Sequence, residues 1–456
     1  MTDSRPILVL TTEPLPLPGR SVTGAGMRAW GLAQGLRARG LDAVVAMPVP
    51  AGDPPDAKTL QQHGAAMFKR AELNAFARKM NPSAVVLQHW GLARELGDVD
   101  APLAIDLAGP HLLERLYWES PDPEQDRIEK IGALSRADFV CCSGEYQRHY
   151  FLPFLSEAGW DVTLRDALPV IPYSLDPALP QAGERDPFTL VYGGYFLPWQ
   201  DPSIALEACL EAMDEAGAGR LEFYGGMHPQ LDVSGGKFEP LLERLAAHPR
   251  VTMCGPLPFD ALTQRYCRAG LAVDLMARNP ERELAFTTRT LVYLWCGLPV
   301  LYNDYSELSS WIERYGAGAT LNPEDPAAVK RVMLEYLRDS AAWDERREAA
   351  RRLMREQFDW TKTIDPLAAW CADPKPRANK ELSGQNSGEQ TRRLLQQTKD
   401  ELQKTRSELE TLQGKWHVRL ARKMHGWAPL LAPLVWLALT PLAWIVRREL
   451  RRGESE

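Results

Sequence analysis

Over its first 370 residues the chain alternates short apolar runs with amphipathic segments, and this alternation constrains the fold more than any other feature. In the first half the apolar runs are ILVLTT, DAVVAMP, AVVLQH, PLAIDLA, DFVCCS and LPVIPYS. In the second they are TLVYGGY, RLEFYGG, RVTMCGP, LAVDLM, PVLYND and ATLN. Helix-forming stretches lie between them, among them MRAWGLAQGLRARG, which ends at Gly40, SIALEACLEAMDEAG and FDALTQRYCRAG. Such alternation predicts parallel sheets with crossover helices, because parallel neighbours cannot be joined by a tight hairpin. The pattern restarts after IPYSLDPALPQAGERDP, residues 171–187, which is rich in proline and turn residues. The expected fold class is α/β, with two Rossmann-like domains facing a cleft, over residues 1–178 and 179–372.

Sheets of this kind bind ligands beyond the carboxyl ends of their strands. Three glycine turns stand at such places, and glycine lets backbone amides approach an anion closely. Gly24 and Gly26 open a helix in GRSVTGAGMRAWGL, with Arg28 in its first turn. Gly193 and Gly194 end a strand in VYGGYFLPWQDPSIAL, and Gly225 and Gly226 do so in FYGGMHP. A fourth stretch, FTTRTLVYLWCGLPVLY, reads as a short helix running into a buried strand. Thr287 or Thr288 can cap its start, and Gly297 followed by Pro299 stops it. Arg289 sits in its first turn, beside amides that favour an anion.

After residue 372 the composition changes. Residues 373–388 are polar and breaker-rich and read as a linker. In 389–416, Leu395, Leu402, Leu409 and Trp416 recur every seven residues, while the alternate seam holds Thr398, Thr405 and Leu412. That is a short coiled coil with half a good seam, suited to weak homo- or hetero-oligomeric pairing. The segment 417–456 is basic and apolar. Formal net charge is −7, yet Lys415 to Arg452 holds eight Lys or Arg against one Glu. The acidic remainder argues against nucleic acid as a partner, and the basic segment points to anionic lipid headgroups. Between its basic clusters, Trp427 to Val446 carries no charge across 20 residues, interrupted by Pro429, Pro433 and Pro441. A straight helix of that length spans about 30 Å, a bilayer core. Spanning would leave one basic cluster outside, against the positive-inside tendency, so an interfacial or re-entrant segment is favoured. A protein-docking helix is the remaining alternative. The expected location is cytoplasmic, on the cytosolic face of the inner or plasma membrane.

The seven cysteines are scattered through apolar runs without a CxxC pair, which favours reduced core residues over disulfides or zinc. No metal cluster is visible, and no cofactor is expected.

The order of these pieces resembles that of the retaining, nucleotide-sugar-dependent glycosyltransferases with the GT-B fold, specifically glycosyltransferase family 4, over residues 6–365. The family's "rGheV" phrase corresponds to GLRARGLDAVVA, its "AD.v...S" to SRADFVCCSGEYQRHY, and its "viPnGvD" to VIPYSLDP. Its "vGR..p.KG" corresponds to YGGYFLPWQD and its "EAMACGLPVI" to LVYLWCGLPVL. The resemblance implies a nucleotide-sugar donor in the second domain and an acceptor in the first. Four family positions are replaced. Aligned on Gly194, the diphosphate-binding Arg and Lys positions hold Tyr195 and Gln200. Counted back from Cys296, the two glutamates fall on Val292 and Leu284.

Arg289 stands as the substitute diphosphate ligand, and Glu281 and Glu283 flank the first lost glutamate, with Glu283 taken as the contact to transferred sugar or ribose. Gly193, Gly194, Tyr195, Gln200, Gly225, Gly226, Thr287, Thr288 and Thr290 complete the expected donor site. On the acceptor side stand Gly24, Gly26, Arg28, His89, Asp106 and His111. The implied activity is sugar transfer from a nucleotide donor to a glycan, lipid-linked as in lipopolysaccharide or capsule, with retention and without a bound metal. The alternative is a catalytically degenerate module recruiting a partner enzyme to the membrane.

Overall fold

The computed structural model describes residues 5–164, 166–181, 184–227, 234–377, 398, 400–408 and 411. The chain divides into two units, Met1–Gly384 and Gln385–Glu456. In the second unit residues 400–408 are helical. The rest of the expected coiled coil, most of the linker and the tail 417–456 lie outside the described residues. Among the described residues no helix is long and apolar enough to cross a membrane.

The first unit contains two six-stranded sheets in which every pairing is parallel. One is built from β1 (Ile7–Leu10), β2 (Ala43–Pro48), β3 (Ala65–Phe68), β4 (Ala84–Leu87), β5 (Leu103–Leu107) and β6 (Phe139–Cys142), in the order β3-β2-β1-β4-β5-β6. The other comprises β7 (Thr189–Phe196), β8 (Arg220–Met227), β9 (Val251–Met253), β10 (Leu271–Asp274), β11 (Val300–Asn303) and β12 (Gly318–Leu321), in the order β12-β11-β10-β7-β8-β9. Their apolar runs are continuous because helices cover both faces of each sheet: Leu8 and Val9, adjacent in β1, enter different cores.

Two details of the strand pattern depart from the sequence reading. The edge strand β3 was not anticipated: AAMF lies at the sheet edge, paired with β2 alone and half-buried at its centre. The run LPVIPYS forms a single bridge, Val170 to Cys142, because Pro169 and Pro172 have no amide to donate to a ladder.

The strand order reverses between β1 and β4 in one sheet and between β7 and β10 in the other, the positions at which such sheets leave a crevice. Two crossing segments join the halves. Leu175 donates to the Phe358 carbonyl at 2.9 Å, and Trp360 donates back to the Leu175 carbonyl at 3.2 Å. The helix Asp365–Ala372 then returns to the first sheet, where Ile364, Leu367, Ala368 and Cys371 share a core with Ala29, Leu32 and Leu36. The sequence boundary at 372 assigned this helix to the second half; its packing is on the first.

Candidate active site

A cavity of about 620 Å³ lies between the two sheets, lined from both halves. The carboxyl ends of β1 and β4 contribute Thr12, Glu13, Gln88 and His89, and the end of β7 contributes Gly193, Gly194 and Tyr195. Two helix starts meet across it: a Cβ on Gly24, at the start of the helix Gly24–Ala38, would lie 3.0 Å from Thr288 Oγ1, at the start of the helix Thr288–Trp295.

The helix Thr288–Trp295 has the eight residues its sequence predicts. Thr287 occupies the capping position, but its hydroxyl is turned to Tyr302 Oη at 2.8 Å and makes no capping bond. Among the described residues no side chain caps the first turn, which leaves its amides available to an anion. Thr290 is buried and donates to Asp274 Oδ2 beneath the helix.

Arg289 reaches into the glycine turn that ends β7. Its guanidinium donates to Tyr192 Oη at 3.2 Å and to Gln200 Oε1, and its Nε stands 3.8 Å from Asp274 Oδ1. Gly194 has φ +129°, and a Cβ there would lie 2.7 Å from Arg289 Nη1. The cation therefore occupies the space that a side chain at 194 would fill. Burial opposes its charge, but Tyr192 and Asp274 outweigh it and hold Arg289 above the ordinary arginine range. Burial also raises the Asp274 carboxyl, against the pull of Arg289 and Thr290.

Gly225 and Gly226 do not line the cavity. Gly225 lets β8 approach β7, since a Cβ there would lie 1.8 Å from the Gly194 carbonyl. Glu283 is also off the cavity, half-buried and paired with Arg278 at 2.7 Å. Glu281 lines it instead, 2 % exposed and bound in two places by Arg282. The short helix Pro280–Leu284 turns residues two apart to nearly opposite faces, which separates these glutamates.

In the first half, Gly24, His89 and His111 line the cavity. Gly26 packs against Pro14, whose carbonyl oxygen would stand 1.9 Å from a Cβ. Arg28 and Asp106, expected in the cleft, form a buried pair beneath it: Nε to Oδ2 at 2.9 Å and Nη2 to Oδ1 at 2.8 Å. Arg28 Nη1 also donates to the Pro172 carbonyl at 2.8 Å. Burial works against the Arg28 charge, and Asp106 more than restores it. His89 Nδ1 accepts the Gly91 amide at 3.0 Å, and its ring lies 4.8 Å from that of His111. His111 Nδ1 in turn sits 3.2 Å from Glu114 Oε2.

Glu13 and Glu114 line the cavity without having been singled out in the sequence. Glu114 had a signal, three residues after His111 and so on one helix face. All seven cysteines are free, and six are buried. Among the described residues no group of three or more His, Cys, Asp or Glu is arranged to hold a metal ion.

Several solved structures share this architecture. Sucrose-phosphate synthase from Thermosynechococcus elongatus is 17% identical with a TM-score of 0.61, covering 80% of this chain and 98% of that one. HepE of Anabaena in complex with UDP-glucose is 15% identical with a TM-score of 0.58, covering 80% and 98%. A TarM mutant of S. aureus in complex with fondaparinux, alpha-GlcNAc-glycerol and UDP is 10% identical with a TM-score of 0.57, covering 81% and 100%. The likeness is one of fold: two parallel sheets facing a cleft, the GT-B arrangement. No protein-family model matches the sequence, and no curated protein matches it.

Proposed function

We propose that this chain transfers a sugar from a nucleotide-sugar donor, of the UDP class, to a glycan acceptor. The observation that carries the reading is the Arg289 guanidinium seated at the Gly194 turn. Glycosyltransferase family 4 places two cations there, at the positions held here by Tyr195 and Gln200. Arg289 supplies one from the opposite side, from the helix Thr288–Trp295, and hydrogen-bonds Gln200 itself. The UDP-glucose bound by HepE supports the donor class.

In this reading the donor diphosphate lies against Arg289 and the uncapped first-turn amides. Charge that develops on the leaving phosphate meets fixed positive groups in a partly enclosed site, where they are worth more than in water. The carboxylate placed to meet the transferred sugar is Glu281, oriented by Arg282. Transfer proceeds with retention through an oxocarbenium-like transition state, the departing phosphate oxygen taking the proton of the acceptor hydroxyl. No protein nucleophile and no bound metal enter this scheme.

The acceptor is lipid-linked and the enzyme works at the cytosolic face of a membrane; both rest on the sequence from Trp427 to Val446 and its basic flanks. Thermal-shift measurement with UDP-, GDP- and dTDP-sugars tests the donor, with UDP-sugars expected to stabilise. Arg289→Ala is expected to lower turnover on the order of 10²-fold with the fold intact. Unchanged turnover would remove Arg289 from the role. Val292, Tyr195 and Gln200 favour a second reading, a degenerate module that recruits a partner enzyme, and absence of stabilisation by every nucleotide sugar would support it.

A further inference from the structure

We infer that the acceptor end of this cavity selects an uncharged hydroxyl, the terminal sugar of a neutral glycan, and rejects acceptors carrying phosphate, sulfate or carboxylate on the reacting residue. The inference rests on the glycosyl-transfer reading and names its acceptor class.

The charged side chains of the cavity are unevenly divided. The second half presents Arg289, together with Arg282 already bound to Glu281. The first half presents Glu13 and Glu114, and no Lys or Arg from that half is among the described residues lining it. Arg28 lies beneath the floor, tied to Asp106. An anionic acceptor at this end would meet two carboxylates in a partly enclosed space, with no described Lys or Arg of the first half lining it to balance them.

The hydrogen-bonding pattern narrows the class further. His89 Nδ1 accepts the Gly91 amide, so the neutral ring carries its proton on Nε2. That Nε2–H is buried and has no hydrogen-bond partner among the described residues. Burial, with His111 and Lys130 nearby, pushes His89 down to about 3, which keeps the ring neutral at physiological pH. The Glu114 carboxylate, within reach of His111, lines the same cavity as His89. The residues lining the cavity thus include one with an unused donor and one with a carboxylate acceptor. A hydroxyl satisfies both, accepting from His89 and donating to Glu114. An anionic oxygen can only accept and is repelled by Glu114; an ammonium can only donate and leaves His89 unpaired.

The test uses the full-length protein, a UDP-sugar and a panel of fluorophore-tagged saccharides in matched sets: the neutral sugar, its uronic acid, its 6-phosphate and its amino analogue. Products are read by mass spectrometry. Neutral members are expected to be glycosylated at least tenfold faster than their anionic counterparts. The double variant Glu13→Gln, Glu114→Gln is expected to narrow that ratio at least fivefold, its folding checked by an unchanged melting transition. Anionic acceptors used as well as neutral ones would overturn the inference. So would a ratio in the double variant within twofold of the wild-type value, or a protein that hydrolyses UDP-sugar yet accepts no neutral member. A protein that neither binds UDP in the thermal-shift assay nor hydrolyses UDP-sugar would instead overturn the glycosyl-transfer reading beneath it.

Discussion

The carboxylate of Glu307, in the second half of the first unit, accepts the backbone amide of Tyr146, in the first half, at 3.0 Å. The helix Glu145–Glu157 follows Gly144, which has no side chain with which to cap it. Its cap comes instead from across the cleft. Gly144 is what permits the approach, since a Cβ there would lie 2.5 Å from Glu307 Oε2. Gln147 Nε2 adds a second tie, donating to the Leu284 carbonyl at 3.0 Å. Glu307→Ala is expected to cost about 1 kcal/mol of local stability, as for other lost caps. Amide hydrogen exchange at Tyr146 should then accelerate about fivefold. Gly144→Ala should do the same by pushing the carboxylate away. Unchanged exchange in both variants would mean that the contact does not hold the halves together.

The Arg28–Asp106 pair leads to a prediction about folding, not catalysis. Both side chains are buried, and removing one partner strands the other charge. Arg28→Met is expected to destabilise the protein by about 3–5 kcal/mol. The double variant Arg28→Met, Asp106→Leu should recover much of that loss, because apolar replacement of both partners of a buried pair is often neutral. Urea unfolding of the single and double variants measures the difference. A double variant no more stable than the single one would contradict this account.

Those two relationships show where sequence reading succeeds and where it stops. Eleven of the twelve strands were legible, most of them because a strand buried on both faces is a continuous apolar run; β9 and β12, more exposed, kept their place in the alternation. The return of Ile364 to the first sheet was not, because it depends on tertiary approach: Gly35 leaves room for it, a Cβ there falling 2.8 Å from Ile364 Cβ. Arg289 was legible as a cation in the first turn of a short helix between firm stops. Arg28 looked alike, a cation near a glycine-opened helix start, but its partner lies 78 residues away in β5. Nothing local distinguishes an arginine that lines the cavity from one neutralised within the core. Glu281 and Glu283 could be separated only by the phase of a five-residue helix whose bounds the sequence does not fix.

The two glycine turns of the second sheet should respond differently to a methyl group. Gly194 and Gly226 both hold backbone conformations that L-residues rarely adopt, at φ +129° and +137°. Alanine at 226 would meet nothing within 4 Å among the described residues and so costs the backbone strain, on the order of 1–2 kcal/mol. Alanine at 194 bears the same strain and also displaces the Arg289 guanidinium. On the proposed function, Gly194→Ala lowers UDP affinity at least tenfold while Gly226→Ala leaves it nearly unchanged at comparable melting temperature. Calorimetric titration of UDP into both variants decides this. Equal losses would place the diphosphate away from the Gly194 turn.

Lys130 should make the protein's stability depend on pH on the alkaline side. Its ammonium is fully buried, has no hydrogen-bond partner among the described residues, and lies over the rings of Tyr150, Phe151 and Phe154 at 4.9, 4.4 and 4.2 Å. Burial pushes it down to about 7, against an ordinary value of 10.5. Between these values the unfolded chain holds a proton that the native chain lacks. The contribution of Lys130 to stability therefore falls as pH drops from 10.5 toward 7, by about 1.4 kcal/mol per pH unit, and the full cost is present below 7. His89, at about 3 against 6.5, gives the same sign in a separate acid window, so it does not confuse the measurement. Lys130→Met keeps the length and apolar bulk of the side chain and removes the charge. It should raise the melting temperature at pH 7 and flatten the rise in stability between pH 7 and 9. A variant whose stability climbs over that range as steeply as the wild type would show that Lys130 keeps its proton, and the aromatic rings around it would then have to stabilise a charged amine rather than a neutral one.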